Sequence, residues 1–311
     1  MNPAKKQSAD SESLKRSYDF CREIAKSRAK NFYYSFIVLP AERRRAMCAV
    51  YAFMRYCDDI VDEEAGEADK EDRLNACREY LDRAYDGSPA DAYGGTTAGA
   101  YDGSPADGKS LLPAFRDTVE RFDIPRSYFD AIIDGAQMDL TVTRYATFED
   151  LYQYCYRVAS AVGLVCIHIF GFNGAEAKKY AESCGIAFQL TNILRDLRED
   201  AEMSRIYLPQ EDLDAFGYPE EHLRSGRLDD SFRRLMEFQV ERARSYYDAA
   251  LPLLPLVQSS SRACLAAMIG IYRACLEEIP RRQYDVYSQR IGLSPWKKIS
   301  ITARALIRRR V

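Results

Sequence analysis

At 311 residues, 47% hydrophobic and 29% charged, the chain has the composition of a globular protein able to bury a sizeable core. Its formal net charge of -3 excludes a global electrostatic pull toward nucleic acid. No apolar run reads as approaching the roughly 20 residues that span a bilayer. Nine scattered cysteines and two histidines carry no zinc-type spacing, so buried free thiols and a cytoplasmic location are expected.

In chain order, the first seventeen residues, MNPAKKQSADSESLKRS, lack the apolar core of a secretory signal and read as a disordered tail. From Tyr18 onward helical periodicity dominates and alternating strand patterns are scarce. Counting one over Ser11–Ser27, helices are expected over Arg43–Glu64 (after Pro40) and Asp72–Tyr85. "AYDGSPAD" then occurs at Ala84–Asp91 and again at Ala100–Asp107, which marks 86–108 as a duplicated surface-loop insertion. Its glycines match neither G-x-G-x-x-G nor a phosphate loop. Further helices are expected over Lys109–Phe122, Arg126–Asp139, Phe148–Phe170, Ala175–Glu202, Asp230–Leu253, Ser261–Ile279 and after Pro295. The expectation is an all-α single domain, 18–311, with no sheet to carry a nucleotide fold.

Two stretches carry chemistry. In "YAFMRYCDDIVDEEAGE", Tyr51, Arg55, Asp58 and Asp62 lie at 0, 4, 7 and 11, one stripe of a helix, with Asp59 about 100° away. An exposed face on which Arg55 pairs with Asp58 or Asp59 is the plain alternative. In "GIAFQLTNILRDLREDAEMSRIYLP", Gln189, Asn192, Asp196 and Asp200 lie at 0, 3, 7 and 11. Two helices thus each present carboxylates four residues apart. Hard oxygen ligands so arranged suit Mg²⁺, which takes carboxylates plus water and substrate phosphate. Iron is disfavoured, because the Glu-x-x-His pairs of a di-iron bundle are missing. Asp pairs with flanking arginines are what ionisation of an allylic diphosphate demands, and the resulting cation needs a dry, aromatic cavity.

Taken together, "DDIVDE" and "QLTNILRDLREDAEMSRIYLP" closely resemble the squalene/phytoene synthase family, the head-to-head prenyl transferases. The resemblance runs from about Tyr18 to Arg304 and takes in "NFYYSFIVLPAERRRAMCAVYAFMRYCDDIVDE" and "MDLTVTRYATFEDLYQYCYRVASAVG". It implies the isoprenoid-synthase helical bundle around a central cavity. It implies Mg²⁺, with Mn²⁺ as a substitute, held by Asp58, Asp62, Asn192, Asp196 and Asp200. Diphosphate contacts are implied for Tyr51, Arg55, Gln189, Asn192, Arg195, Arg205, Tyr272, Lys30 and, on a looser match, Arg290. Tyr154 matches the tyrosine that steers proton transfer or stabilises the cation. Arg28, Lys30 and Asn31 stand where the family closes over a diphosphate, often with Ser or His, a departure that leaves those contacts open.

The implied substrates are two prenyl diphosphates, joined through a cyclopropylcarbinyl diphosphate. "FYYSFIVLPAERRRAM" and "YDVYSQRIGLSPWKK" look most like hopanoid-type bacterial enzymes that use farnesyl diphosphate, so a presqualene diphosphate or squalene-type C30 product is favoured. The alternative is phytoene formation from geranylgeranyl diphosphate. The family's NADPH site is not a Rossmann fold, so the absence of a dinucleotide fingerprint leaves NADPH use open. The last stretch, "SPWKKISITARALIRRRV", puts Trp296, Ile299, Ala303, Leu306 and Ile307 on one face and basic residues elsewhere. Peripheral contact with a membrane surface is one reading, closure of a helical bundle the other. Downstream isoprenoid-pathway enzymes are the protein partners such a product implies. A non-catalytic family member and a terpene cyclase are rival readings, disfavoured by the complete Asp motifs and by the paired central and second blocks.

Overall fold

The computed structural model describes residues 3–29, 33–62, 67–86 and 111–308. The duplicated loop lies largely outside the described residues, as do Lys30, Asn31 and Glu64. Among the described residues the chain is helical, with two isolated bridges, Arg144 to Ile206 and Phe172 to Val257, in place of any strand. It divides into two compact units, Met1–Gln137 and Met138–Val311.

The first unit holds α1 (Pro3–Arg28), α2 (Tyr33–Phe36), α3 (Ala41–Asp62), α4 (Glu67–Tyr85), α5 (Leu112–Arg121) and most of α6 (Arg126–Thr141). α1 begins inside the stretch that the sequence reads as a tail. Tyr18, Cys21 and Ala25 are buried, and the Tyr18 hydroxyl donates to Asp117 at 2.5 Å. Once that turn is anchored, the Ala, Lys, Glu and Leu residues before it are good enough helix formers to propagate the helix.

α3 packs against α1, α4 and α5. Its Phe53 stacks on Phe115 at 4.6 Å and meets Phe129 edge-on at 5.5 Å and Tyr80 at 5.7 Å. Each such aromatic pair adds about 0.5–1.5 kcal/mol beyond area burial. The cluster fixes the rotation of the helix. At about 100° per residue, Tyr51, Arg55 and Asp58 fall roughly 140–200° from Phe53 and so point away from the aromatic core.

The second unit holds the rest: α7 (Phe148–Cys155), a π turn (Tyr156–Ser160), α8 (Ala161–Phe170), α9 (Ala177–Arg195), α10 (Leu197–Glu202), α11 (Gln210–Ala215), α12 (Glu220–Ser225), α13 (Asp230–Ala250), α14 (Leu253–Leu256), α15 (Ser259–Arg281) and α16 (Pro295–Arg308). α9 is central, packed on α13, α15, α8 and the π turn through Ile186, Ala187, Leu190, Ile193 and Leu194. Phe148–Phe170, expected as one helix, is interrupted by the π turn. By length and composition that stretch is long and apolar enough to cross a membrane, contrary to the expectation from sequence. Its Leu151, Cys155, Leu164, Val165, Ile167 and Ile169 are instead buried in this unit. All nine cysteines are free and buried.

Gly185 shows why α9 can lie so close to the π turn. A Cβ placed there would stand 2.5 Å from the Ser160 Cα and 2.6 Å from its nitrogen. Both are backbone atoms, so no rotamer change relieves the clash. Gly185→Ala is expected to destabilise the fold by about 2–3 kcal/mol, the upper range for overpacking, although Ala favours a helix. A denaturation midpoint equal to that of the parent would show that the two backbones part freely.

Candidate active site

The first carboxylate wall is on α3. Arg55 pairs with Asp59, one turn on and off the main stripe, one of the two partners open to it from the sequence. Asp58 is exposed. Tyr51 is half-buried, and burial raises its phenol pKa above the ordinary value while Arg55 opposes the shift. The Asp62 side chain and Lys30 lie outside the described residues.

The second wall is built at the end of α9. The sequence reads Ala175–Glu202 as one helix, but α9 stops at Arg195 and α10 starts at Leu197, with Asp196 between them at φ -106° and ψ 16°. The backbone still bonds across the break, Asp196 N to Asn192 O and Asp200 N to Asp196 O, both at 2.9 Å. Arg195 grips the Asp196 carboxylate with two donors, Nε at 2.8 Å and a terminal nitrogen closer. Burial works against the Arg195 charge, but the Asp196 carboxylate overrides it and leaves the guanidinium pKa above its ordinary value. Arg290 reaches Asp196 at 3.4 Å and Glu199 at 3.2 Å. A recess of about 230 Å³ opens here, lined in part by Arg195, Asp196, Glu199, Tyr287 and Arg290.

The loop that carries Arg290 leaves α15 through Gln283 and Tyr284, both left-handed at φ 54° and 65°. Such a conformation costs a non-glycine residue about 1–2 kcal/mol. Ser204, left-handed at φ 61°, turns the chain after α10 so that Arg205 folds back. Its backbone N–H reaches Asp200 O at 2.8 Å, and its guanidinium donates to Asp139 O at 3.0 Å.

This wall has the donor set of a hard-cation site. Burial and then the nearby Asp196 push the Asp200 carboxyl pKa up to about 7, against the pull of Arg205. Two carboxylates crowded away from water call for a positive charge. Asn192 donates its Nδ2 to Gln189 Oε1 at 3.3 Å, while its buried Oδ1 has no partner. An unpaired buried acceptor beside two carboxylates fits an ion that binds through oxygen. Among the described residues no group of three or more His, Cys, Asp or Glu is gathered to hold a metal. The remaining ligands of an octahedral ion here would be water and substrate oxygen.

Tyr154 is buried at the end of α7, just before the π turn. Its hydroxyl donates to Tyr207 at a long 3.4 Å, and Tyr207 donates to Asp139 at 2.9 Å. The rings of Tyr154 and Tyr207 stack at 5.1 Å, with Tyr145 at 5.5 and 5.9 Å. Burial first, and Asp139 next, raise both the Tyr154 and the Tyr207 phenol pKa well above the ordinary value. Tyr272 stacks on Phe188 at 4.3 Å and bears on Arg195. Sequence reasoning missed Asp139, Tyr145, Tyr207 and Glu199. Asp139 and Tyr207 lie inside the quoted central and second blocks, but α7, the π turn, α8, α9 and α10 come between them in the chain.

The family model for squalene/phytoene synthase matches residues 25–297. The phytoene synthase of Mycobacterium tuberculosis is 38% identical over 94% of this chain and 91% of its own length. The 15-cis-phytoene synthase of Synechococcus elongatus is 35% identical over 95% of this chain and 94% of its own. A crystal structure of a dehydrosqualene synthase with a bound ligand superposes with a TM-score of 0.81 at 27% identity, covering 96% of this chain and 98% of that one. With carboxylate walls on α3 and at the α9–α10 break, and a family match over most of its length, the chain belongs to the squalene/phytoene synthase family of prenyltransferases.

Proposed function

We propose that this prenyltransferase condenses two molecules of geranylgeranyl diphosphate head to head, giving a phytoene-type C40 product. The head-to-head condensation is the reaction of the family. The choice of substrate rests on the relatives: a phytoene synthase at 38% identity over almost the whole chain outweighs a dehydrosqualene synthase at 27%. The C30 product favoured by the sequence, with farnesyl diphosphate as substrate, yields to the alternative.

Asp58 and Asp62 would hold Mg²⁺ on the first wall, and Asn192, Asp196 and Asp200 would do so on the second. When bound, the ion offsets the charge that develops on a departing diphosphate. Arg195, Arg205 and Arg290 add fixed positive charge on the second wall and Arg55 on the first, which favours cleavage of the allylic C–O bond. The allylic cation is attacked by the C2–C3 double bond of the second substrate, and loss of a proton closes the cyclopropane ring. Ionisation of that intermediate, rearrangement and a second proton loss give the hydrocarbon.

Tyr154 is held neutral by its burial, so it acts as one link of a chain. It takes a proton on its hydroxyl oxygen while its own proton moves to Tyr207, whose proton moves to the Asp139 carboxylate. No charge is left on a buried phenol. Tyr154→Phe and Tyr207→Phe are each expected to slow turnover by about 10²-fold, the lower scale of acid–base assistance. Tyr154→Ala, which also deletes the ring, should do worse. A fully active Tyr154→Ala would remove this residue from the mechanism and leave released diphosphate as the base.

The reading is tested by incubating purified protein and Mg²⁺ with geranylgeranyl or farnesyl diphosphate, with and without NADPH, and identifying the extracted lipids. A C40 hydrocarbon formed from geranylgeranyl diphosphate without NADPH is the expected result. Turnover of farnesyl diphosphate alone, or a product that requires NADPH, would overturn it.

A further inference from the structure

α16 docks with one face and exposes an apolar face on the opposite side. Its Thr302 is buried, and Lys297, Lys298, Ile301 and Ala305 are half-buried on that same side, where α16 packs against α15. On the far side Trp296 is 80% exposed and Ile307 67%, with Ile299, Ala303 and Leu306 also exposed. At 100° per residue these five fall within about 100° of arc, a continuous apolar stripe on water. Soluble surfaces carry single apolar residues without consequence, but an aligned stripe marks a contact.

The charges around the stripe identify the partner. Between Pro295 and Val311 the sequence has six Lys and Arg residues and no Asp or Glu. Lys297, on the docked side, is paired with Glu278, which leaves Arg304 and the arginines at 308–310 as the cations for a partner. Arg304 is exposed on the flank of the stripe. Two copies packed stripe to stripe would bring these cations together, so self-association is opposed by charge. An anionic lipid surface satisfies both features, taking the apolar stripe among its acyl chains and the cations at its headgroups. Trp296, at the start of the helix, has the ring type that settles at a membrane interface. A groove between α15 and α16 lies alongside, lined by Ala263, Ala266, Gly270, Ala274, Ile301 and Ala305 and fringed by basic side chains, Arg304 among them.

We propose that α16 is a docking surface for an anionic lipid bilayer, lying in the plane of the interface with Trp296, Ile299, Leu306 and Ile307 inserted. A bilayer would also receive a long hydrocarbon product, a consequence that rests on the proposed reaction.

The test is flotation of the full-length protein with vesicles of phosphatidylcholine, alone or with about one third phosphatidylglycerol, at low and high salt. No substrate is present, so the outcome is independent of which diphosphate the enzyme uses. Binding is expected to the anionic vesicles and to weaken with salt. Trp296→Ser with Ile307→Gln should cut binding by at least tenfold at unchanged charge. Arg304→Glu should cut it by at least fivefold, as about 1 kcal/mol per surface cation implies. Circular dichroism and turnover in detergent should match the parent in both variants. Equal affinity for neutral and anionic vesicles, no binding at all, or a dimer that Ile307→Gln dissolves would each overturn the proposal.

Discussion

Asp196→Asn is expected to lower turnover by about 10³-fold or more, the scale on which removal of a group that stabilises developing charge is felt. The substitution keeps the shape of the side chain and removes its charge. Arg195, buried against it, would lose its counter-ion, and that loss alone destabilises a fold. Asp58→Asn separates the two effects. Asp58 is exposed on α3, so its substitution leaves the fold nearly untouched while removing a proposed ligand. Both variants should be inactive, and only Asp196→Asn should melt earlier. Asp200→Asn should melt later than the metal-free parent, because a crowded buried carboxylate is neutralised. Normal turnover in Asp58→Asn or Asp196→Asn, or full activity in excess EDTA, would sink the metal reading.

The helical character and both carboxylate stripes were legible because they depend on local spacing. Tyr51, Arg55 and Asp58 could be placed on one face of α3 from the period alone, and the Phe53 cluster holds that face away from the core. The break at Asp196 was not legible. No glycine or proline lies between Gln189 and Asp200, so nothing in local propensity separates α9 from α10. The π turn after Tyr154 was hidden for a related reason. One widened turn leaves composition unchanged but rotates everything after it relative to a regular helix. α11, α12 and α14 span four to six residues, too few for any period to register. Asp139 and Tyr207 meet only through tertiary folding, and each alone resembles many other polar residues on a helix or loop.

Asp212→Ala is expected to destabilise the protein by about 3–5 kcal/mol, the cost of leaving one member of a buried ion pair unpaired. Asp212 is 8% exposed and Arg242 15%. Arg242 donates to both carboxylate oxygens, at 2.5 and 3.1 Å, and Gln239 adds a third donor at 2.8 Å. The guanidinium also lies over the rings of Phe148, at 4.1 Å, and Phe238, at 4.6 Å. The pair therefore ties α11 to α13 and supports the first residue of α7, the helix that carries Tyr154. Removing only the carboxylate leaves a cation among aromatic rings with nothing to balance it. Replacing both partners by apolar residues of similar size, Asp212→Leu with Arg242→Met, removes that charge as well as the attraction. Such double replacements are often neutral, so much of the lost stability should return. Chemical denaturation of the two single variants and the double variant closes the cycle. A double variant as unstable as the sum of the singles would show that packing of the Arg242 stem, rather than uncompensated charge, sets the cost.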